Sequence, residues 1–168
     1  MSLLQIYLAG EVHRWHANAA MAREGQTNAD HQGRAAQLLL ALNRDASPAL
    51  IYVVLHHDVG EAWAGDLPQP FKSRCPEIAR AHAAIEADMA SAIVNRPMPD
   101  LTAIEADWLR LVDKLEALMF VLHRRPAEYY RARSGWRDDH ASVQALADRL
   151  GCGPAVEALI RDLKDGIW

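Results

Sequence analysis

Three side chains that can bind a cation or move a proton follow a short apolar run in the first half of the chain. His57, Asp58 and Glu61 come soon after the run from Leu50 to Leu55. If this stretch is helical, His57 and Glu61 lie one turn apart and Asp58 lies about 100° round from His57, so all three can converge on one point. A cation at that point would reconcile an imidazole with two carboxylates at a buried helix end.

The types of these ligands indicate the kind of cation. Imidazole and carboxylate together suit Zn, Mn, Co or Fe, whereas Ca prefers oxygen ligands alone. Asp113 lies on an apolar helical stripe, where an unpartnered ionised carboxylate would cost several kcal/mol. His31 precedes a core helix that Asn28 or Asp30 can cap. His57, Asp58 and Asp113 are therefore candidate ligands of one divalent transition metal, Co, Mn, Zn or Fe, and His31, which can point at the same core, is the fourth candidate.

The elements that must position these residues are helices, because apolar residues recur at three and four positions and strict alternation is scarce. Ser47 and Pro48 predict the start of one helix, which carries His57 inward. The segment from Thr102 to Glu105 matches a capping box and predicts a helix to about His123. Further helices are predicted after Pro126, from about Asp139 to Leu150, and from Pro154.

One more helix is predicted from Cys75-Pro76 to about Asn95-Arg96-Pro97. Its apolar residues repeat at helical spacing, which predicts an ordinary packing helix buried along this stripe: Ile78, Ala81, Ile85, Met89 and Ala92. With no internal repeat and no linker-like segment, the pattern predicts an all-α protein. We expect a compact helical bundle with a buried metal site, formed by a single domain over residues 1–168.

Composition excludes several classes of function. The 168 residues are 51% hydrophobic and 24% charged, as in soluble globular proteins, and the net charge is −4. No basic field therefore favours a nucleic-acid polymer or an anionic membrane as partner. The longest apolar runs fall far short of the roughly 20 residues that span a bilayer. Without a signal-peptide pattern at the first residues, we expect a cytoplasmic protein with reduced Cys75 and Cys152.

The arrangement of these residues resembles the HD-domain superfamily, which has a lone His, an adjacent His-Asp pair and a distant helical Asp. Within it, the chain is most similar to the 5′-deoxynucleotidase group, which has Arg-Trp before the first His and HDxxExxxGDLPxPxK around the pair. Here these motifs are Arg14-Trp15 and His57 through Lys72. The resemblance covers about Arg14 to Phe120. The chain departs from the family pattern in two places, a longer stretch before His31 and a compact region before Asp113. Both concern the edge of the substrate site more than the metal site.

The roles of the remaining residues combine their chemistry with this resemblance. Glu61 stands one turn beyond His57 and suits a group that orients or deprotonates water. The resemblance makes Asp66 a second catalytic candidate, for protonating the leaving group or positioning water. It also implies that Trp15 crowds the sugar 2′ position. Arg14 is then expected to bind the phosphate, and Lys72 to neutralise further phosphate charge.

The resemblance implies metal-dependent hydrolysis of a 2′-deoxynucleoside monophosphate to a deoxynucleoside and phosphate. The alternative is a triphosphohydrolase that converts dATP to deoxyadenosine and triphosphate, as short phage-type HD enzymes do. With a triphosphate substrate, a second metal ion such as Mg can also bind. A non-catalytic nucleotide sensor and a cyclic-dinucleotide or alarmone hydrolase are weaker alternatives. By analogy with HD deoxynucleotidases, we also expect a homo-oligomer.

Overall fold

The computed structural model describes residues 3–131 and 135–166. Within these ranges it contains ten α-helices and no β-strand, with one isolated bridge between His13 and Thr27. The prediction of an all-α protein is confirmed. The helices are α1 (Leu3–Gly10), α2 (Asn28–Leu42), α3 (Pro48–His56), α4 (Glu61–Ala64), α5 (Gln69–Arg74), α6 (Pro76–Val94), α7 (Ala103–Arg124), α8 (Pro126–Tyr130), α9 (Trp136–Arg149) and α10 (Gly153–Asp165).

The described residues form two compact units, and the three boundaries between them in the chain fall inside α2, inside α3 and in the loop between α6 and α7. The first comprises residues 3–33 and 52–100, and the second comprises residues 34–51, 101–131 and 135–166. That the chain forms a single domain stays a prediction. None of the helices in the described ranges combines the length and apolar character that a membrane span requires.

The helix starts follow local hydrogen bonds. Ser47 Oγ accepts from the backbone N–H of Leu50 at 3.1 Å, so the predicted cap of α3 is confirmed. The predicted capping box of α7 is present between Thr102 and Glu105. The predicted cap of α2 was wrong, because Thr27 Oγ1, rather than Asn28 or Asp30, accepts a backbone N–H, that of Asp30, at 3.3 Å.

The expected continuous helix through His57 and Glu61 is also corrected. The helix α3 ends at His56, residues 57–60 form a turn, and α4 begins at Glu61. The turn lies directly against α6: a Cβ on Gly60 would collide with the backbone carbonyl of Glu86. A glycine at this position therefore lets the turn approach α6 closely.

The helix α6 faces the first unit with a different side from the one predicted. Ala90 and Ile93 are buried, and Ile93 packs in a small core with Ala9 and Val59. By contrast, Ile78 and Ile85 of the predicted packing stripe are each 52% exposed. The inward face of α6 is the one that carries Glu86, because this residue lies one turn before Ala90.

The second unit is organised around α7, which packs against α8, α9 and α10. Leu111, Leu115 and Leu118 of α7 are completely buried, as are Val143 of α9 and Val156 of α10. Burial of this continuous apolar stripe stabilises the long helix far more than its intrinsic propensity does. Asp113 belongs to this helix and is half-buried.

Candidate metal centre and active site

Three of the predicted metal ligands meet in the first unit. The Nε2 atoms of His31 and His57 are 3.3 Å apart. The Asp58 carboxylate lies 3.7 Å from His31 Nε2 through Oδ2 and 3.5 Å from His57 Nε2 through Oδ1. The helix α2 contributes His31, which is completely buried, and the turn after α3 contributes the other two residues.

The hydrogen bonds around these residues orient their ligand atoms. The Nδ1 of His57 lies 2.8 Å from the carbonyl oxygen of Val54, and this hydrogen bond makes Nε2 the ring nitrogen that would bind an ion. The Gln32 amide is oriented so that both its nitrogen and its oxygen have partners. The nitrogen donates to the Leu55 carbonyl and the oxygen accepts from the Asp58 N–H, each at 3.0 Å. The helix α2 thus holds the Asp58 backbone through Gln32 as well as supplying His31.

These donors fit a divalent transition metal. Two nitrogens bound to one ion at about 2.1 Å lie about 3.0 to 3.4 Å apart at right to tetrahedral angles, which matches the separation of the His31 and His57 Nε2 atoms. Two imidazoles and a carboxylate are a donor set for Zn, Mn, Co or Fe. Asp113 lies on α7 in the second unit, and its part as a fourth ligand stays a prediction.

Glu61 lies beside this cluster in a buried position. Asn28, which is completely buried, donates through Nδ2 to Glu61 Oε2 at 2.9 Å and to the carbonyl oxygen of Asp58 at 3.1 Å. Burial raises the pKa of Glu61 to about 8, and the negative charges of Asp58 and Asp66 act in the same direction. The hydrogen bond from Asn28 and the charge of Arg14 oppose this rise in pKa. A proton carrier that titrates near neutrality is suited to general acid-base chemistry.

Sequence reasoning missed Glu86, a third carboxylate at this position. One oxygen of Glu86 lies within 4.8 Å of oxygens of Asp58 and Glu61. His82 Nδ1 lies 3.6 Å from Glu86 Oε2, and burial is the main cause that raises the pKa of Glu86. The apolar stripe of α6 predicted that another face of the helix is buried. The spacing of His82 and Glu86 at i,i+4 was the sequence feature that indicated a polar face at this position.

The predicted substrate residues Arg14 and Trp15 precede α2. The Arg14 guanidinium forms an ion pair with Asp58 and lies 5.9 Å from the centre of the Trp15 ring. Trp15 is half-buried, and its indole N–H donates to Gln26 Oε1 at 2.6 Å. An anion beside Asp58 would therefore lie within reach of a guanidinium.

Asp66 and Lys72 form a pair of their own. Lys72 Nζ lies 3.4 Å from Asp66 Oδ1, and both side chains are about one third exposed, at 33% and 31% respectively. Lys72 is on α5, and Asp66 is in the loop between α4 and α5. The negative charge of Asp66 contributes to the raised pKa of both Glu61 and Glu86.

A comparison with protein families identifies the group to which the chain belongs. The model of the family described as 5′-deoxynucleotidase YfbR-like matches residues 11–120, more than half of the 168 residues. This range contains every residue predicted for the site. Neither a curated protein nor a solved structure matches the chain. The chain is therefore a member of the YfbR-like 5′-deoxynucleotidase family of the HD-domain superfamily.

Proposed function

We propose that this protein removes the 5′-phosphate from 2′-deoxynucleoside monophosphates with the help of a divalent transition metal. The observation that carries the proposal is the meeting of His31, His57 and Asp58 around one point, with the buried carboxyl group of Glu61 beside them. Membership of the 5′-deoxynucleotidase family supports the same reaction class.

In this proposal His31, His57 and Asp58 hold the ion, and Asp113 is the fourth ligand by prediction from the sequence. Co, Mn, Zn and Fe all suit the donors. When bound, the ion supplies Lewis acidity toward a phosphate oxygen and toward water. The hydrogen bond from His57 Nδ1 to the Val54 carbonyl restrains the ring, so that Nε2 would be the atom that binds the ion.

Glu61 is the proposed proton carrier. Its carboxyl group is buried and its Oε2 accepts a hydrogen bond from Asn28, so the position of the group is restrained. A pKa of about 8 makes Glu61 a stronger base than an exposed glutamate once it is ionised. We propose that Glu61 orients the attacking water and accepts its proton, and that Asp66 serves in water positioning or leaving-group protonation.

Two cations are proposed to bind phosphate charge. The Arg14 guanidinium contacts Asp58, so it can reach a phosphate bound at the same point and offset the negative charge that develops there. Lys72 lies 3.4 Å from Asp66, and we propose that it adds positive charge that offsets the charge of the phosphate. Trp15, next to Arg14 in the chain, is proposed to pack against the sugar and to exclude a 2′-hydroxyl.

The proposed function can be tested by product analysis. The protein, loaded with Co²⁺ or Mn²⁺, is incubated separately with dAMP, AMP and dATP, and the released phosphate, triphosphate and nucleoside are quantified. Release of phosphate from dAMP in preference to AMP is the expected result. Release of triphosphate from dATP with dAMP inert would replace the proposal by the triphosphohydrolase alternative. Metal-loaded protein that binds these nucleotides without turnover would indicate a sensor.

Partners and location follow from the same proposal. A deoxynucleotide is the proposed substrate, and neither a nucleic-acid polymer nor a membrane is a proposed partner. A homo-oligomeric state and a cytoplasmic location remain predictions. Size-exclusion chromatography with light scattering would test the first of these.

A further inference from the structure

Gln26 lies opposite Arg14 in the chain pairing, and its side chain reaches Trp15. The backbone N–H of Arg14 donates to the Gln26 carbonyl at 2.9 Å, and the N–H of Asn28 donates to the Val12 carbonyl at 2.9 Å. Together with the antiparallel bridge between His13 and Thr27, these bonds pair two short segments of the chain. The pairing therefore sets the register between Gln26 and the Arg14-Trp15 dipeptide.

The side chain of Gln26 continues this pairing. Its Oε1 accepts from the indole N–H of Trp15 at 2.6 Å, and Gln26 is only 1% exposed. Water cannot easily replace the glutamine as the partner of the indole, so the bond restrains the ring about its side-chain torsions. The half-buried ring thus has one edge anchored to a buried side chain.

The backbone of Trp15 also needs external restraint. Its φ of 66° lies in the left-handed region, which is strained for a bulky residue. The carbonyl of Trp15 accepts from the Asn18 N–H at 2.8 Å. The N–H of Arg14, the residue before Trp15, donates to the Gln26 carbonyl. Such a conformation persists only where its surroundings over-determine it, and Gln26 supplies two of those restraints.

We propose that Gln26 is a positioning residue for sugar selectivity: its buried amide oxygen holds the Trp15 indole where the ring excludes a ribose 2′-hydroxyl. This inference rests on the proposed function, in which Trp15 packs against the sugar. Gln26 itself does not touch the substrate. Its effect should therefore appear in the ratio of deoxynucleotide to ribonucleotide efficiency, chiefly through the KM of the ribonucleotide.

The test is a double-mutant cycle. Gln26→Met keeps the length of the side chain but removes the acceptor, and Trp15→Phe keeps an aromatic ring but removes the donor. The ratio of kcat/KM for dAMP to that for AMP is measured in wild type, both single variants and the double variant. Metal content and thermal midpoint are recorded for each. Gln37→Met, at an exposed glutamine of α2, is the matched control.

In Gln26→Met we expect the dAMP-to-AMP ratio to fall by about 2-fold to 10-fold, the range that one hydrogen bond is worth. Adding Gln26→Met to Trp15→Phe should leave the ratio unchanged, because the bond is already absent. A purely structural role would lower the thermal midpoint and would act equally in both backgrounds.

An unchanged ratio in Gln26→Met, or an equal change in the two backgrounds, would overturn the inference while leaving the proposed function intact. A wild-type enzyme that hydrolyses dAMP and AMP equally well would overturn both the role of Trp15 and that of Gln26. The two failures are therefore distinguishable from the wild-type ratio alone. Because Trp15 is half-buried, Trp15→Phe offers a probe of the same bond that spares the core.

Discussion

Asn28 and Glu61, which are 33 positions apart in the chain, meet through a 2.9 Å hydrogen bond from Nδ2 to Oε2. The same Asn28 amide reaches the carbonyl oxygen of Asp58 at 3.1 Å. One buried side chain thus links the proposed proton carrier to the backbone of a proposed metal ligand. The bond favours the ionised form of Glu61 and opposes the rise in pKa that burial causes.

Replacing Asn28 by leucine should therefore shift the pH profile of hydrolysis. Asn28→Leu removes the donor, so the pKa of Glu61 rises further, and a general base is ionised only at higher pH. We expect the acid limb of the kcat/KM profile to move up by about one pH unit, the worth of one hydrogen bond to a charged group. An acid limb at the wild-type pH in a correctly folded, metal-loaded variant would contradict this role.

Glu61→Gln tests the proton carrier itself. The substitution keeps size and polarity but removes the titrating group, so turnover should fall by roughly 10² to 10⁴. Metal content and the affinity for dAMP should stay near the wild-type values. Atomic absorption and equilibrium dialysis measure these beside the kinetics. Parallel losses of metal and activity would instead identify Glu61 as a ligand or a structural support.

The raised pKa of Glu61 predicts a pH dependence of stability in the metal-free protein. The folded-state pKa of about 8 exceeds the ordinary value of 4.5, so between these pH values the folded state holds a proton that the unfolded state has lost. Stability should then decrease as pH rises from about 4.5 to about 8, by several kcal/mol in total.

Urea denaturation in the presence of a chelator, at a series of pH values, measures this dependence. Glu61→Gln is the control, since an amide does not titrate and the slope across this window should flatten. The half-buried carboxyl group of Glu86 has a raised pKa as well and acts with the same sign. Wild-type stability that increases with pH through this window would be the contrary result.

The metal ligands are tested by single substitutions. His57→Ala or Asp58→Ala leaves an incomplete set of ligands, so bound metal should fall and hydrolysis should be abolished. Asp113→Asn removes the charge with little change in volume and tests the predicted fourth ligand. His56→Ala is the matched control, because His56 Nδ1 lies 2.8 Å from the Tyr52 carbonyl and its ring stacks on Tyr52. Full metal and full activity in any ligand variant would remove that residue from the set.

Trp15→Ala tests the proposed exclusion of the ribose. Burying an unpartnered 2′-hydroxyl against the indole costs roughly 1–3 kcal/mol, which corresponds to about 5-fold to 150-fold preference for the deoxynucleotide. Without the ring this preference should shrink toward unity. The measurement is relative kcat/KM for matched deoxy and ribo substrates, with metal content checked in both proteins. Equal discrimination by the variant would leave Trp15 as a packing residue.

The sequence by itself determined the helical class and several helix starts, and it predicted the residues of the candidate metal cluster. The caps at Ser47 and Thr102 were readable because each hydroxyl bonds an N–H three residues later, so the signal is local. The string from His57 to Lys72 was readable for a different reason. Its residue types and spacing form a motif that is specific to one family and independent of the surrounding structure.

The tertiary structure decided which more distant residues support that cluster. Glu86 approaches Asp58 and Glu61 because α6 packs closely on Gly60, a contact that no local pattern encodes. The break between α3 and α4 and the exposure of Ile78 on α6 could not be predicted from the apolar periodicity, because several helical faces satisfy it. The hydrogen bond of Asn28 to Glu61 likewise joins chain-distant groups, so its energy depends on the folded arrangement rather than on neighbouring residues.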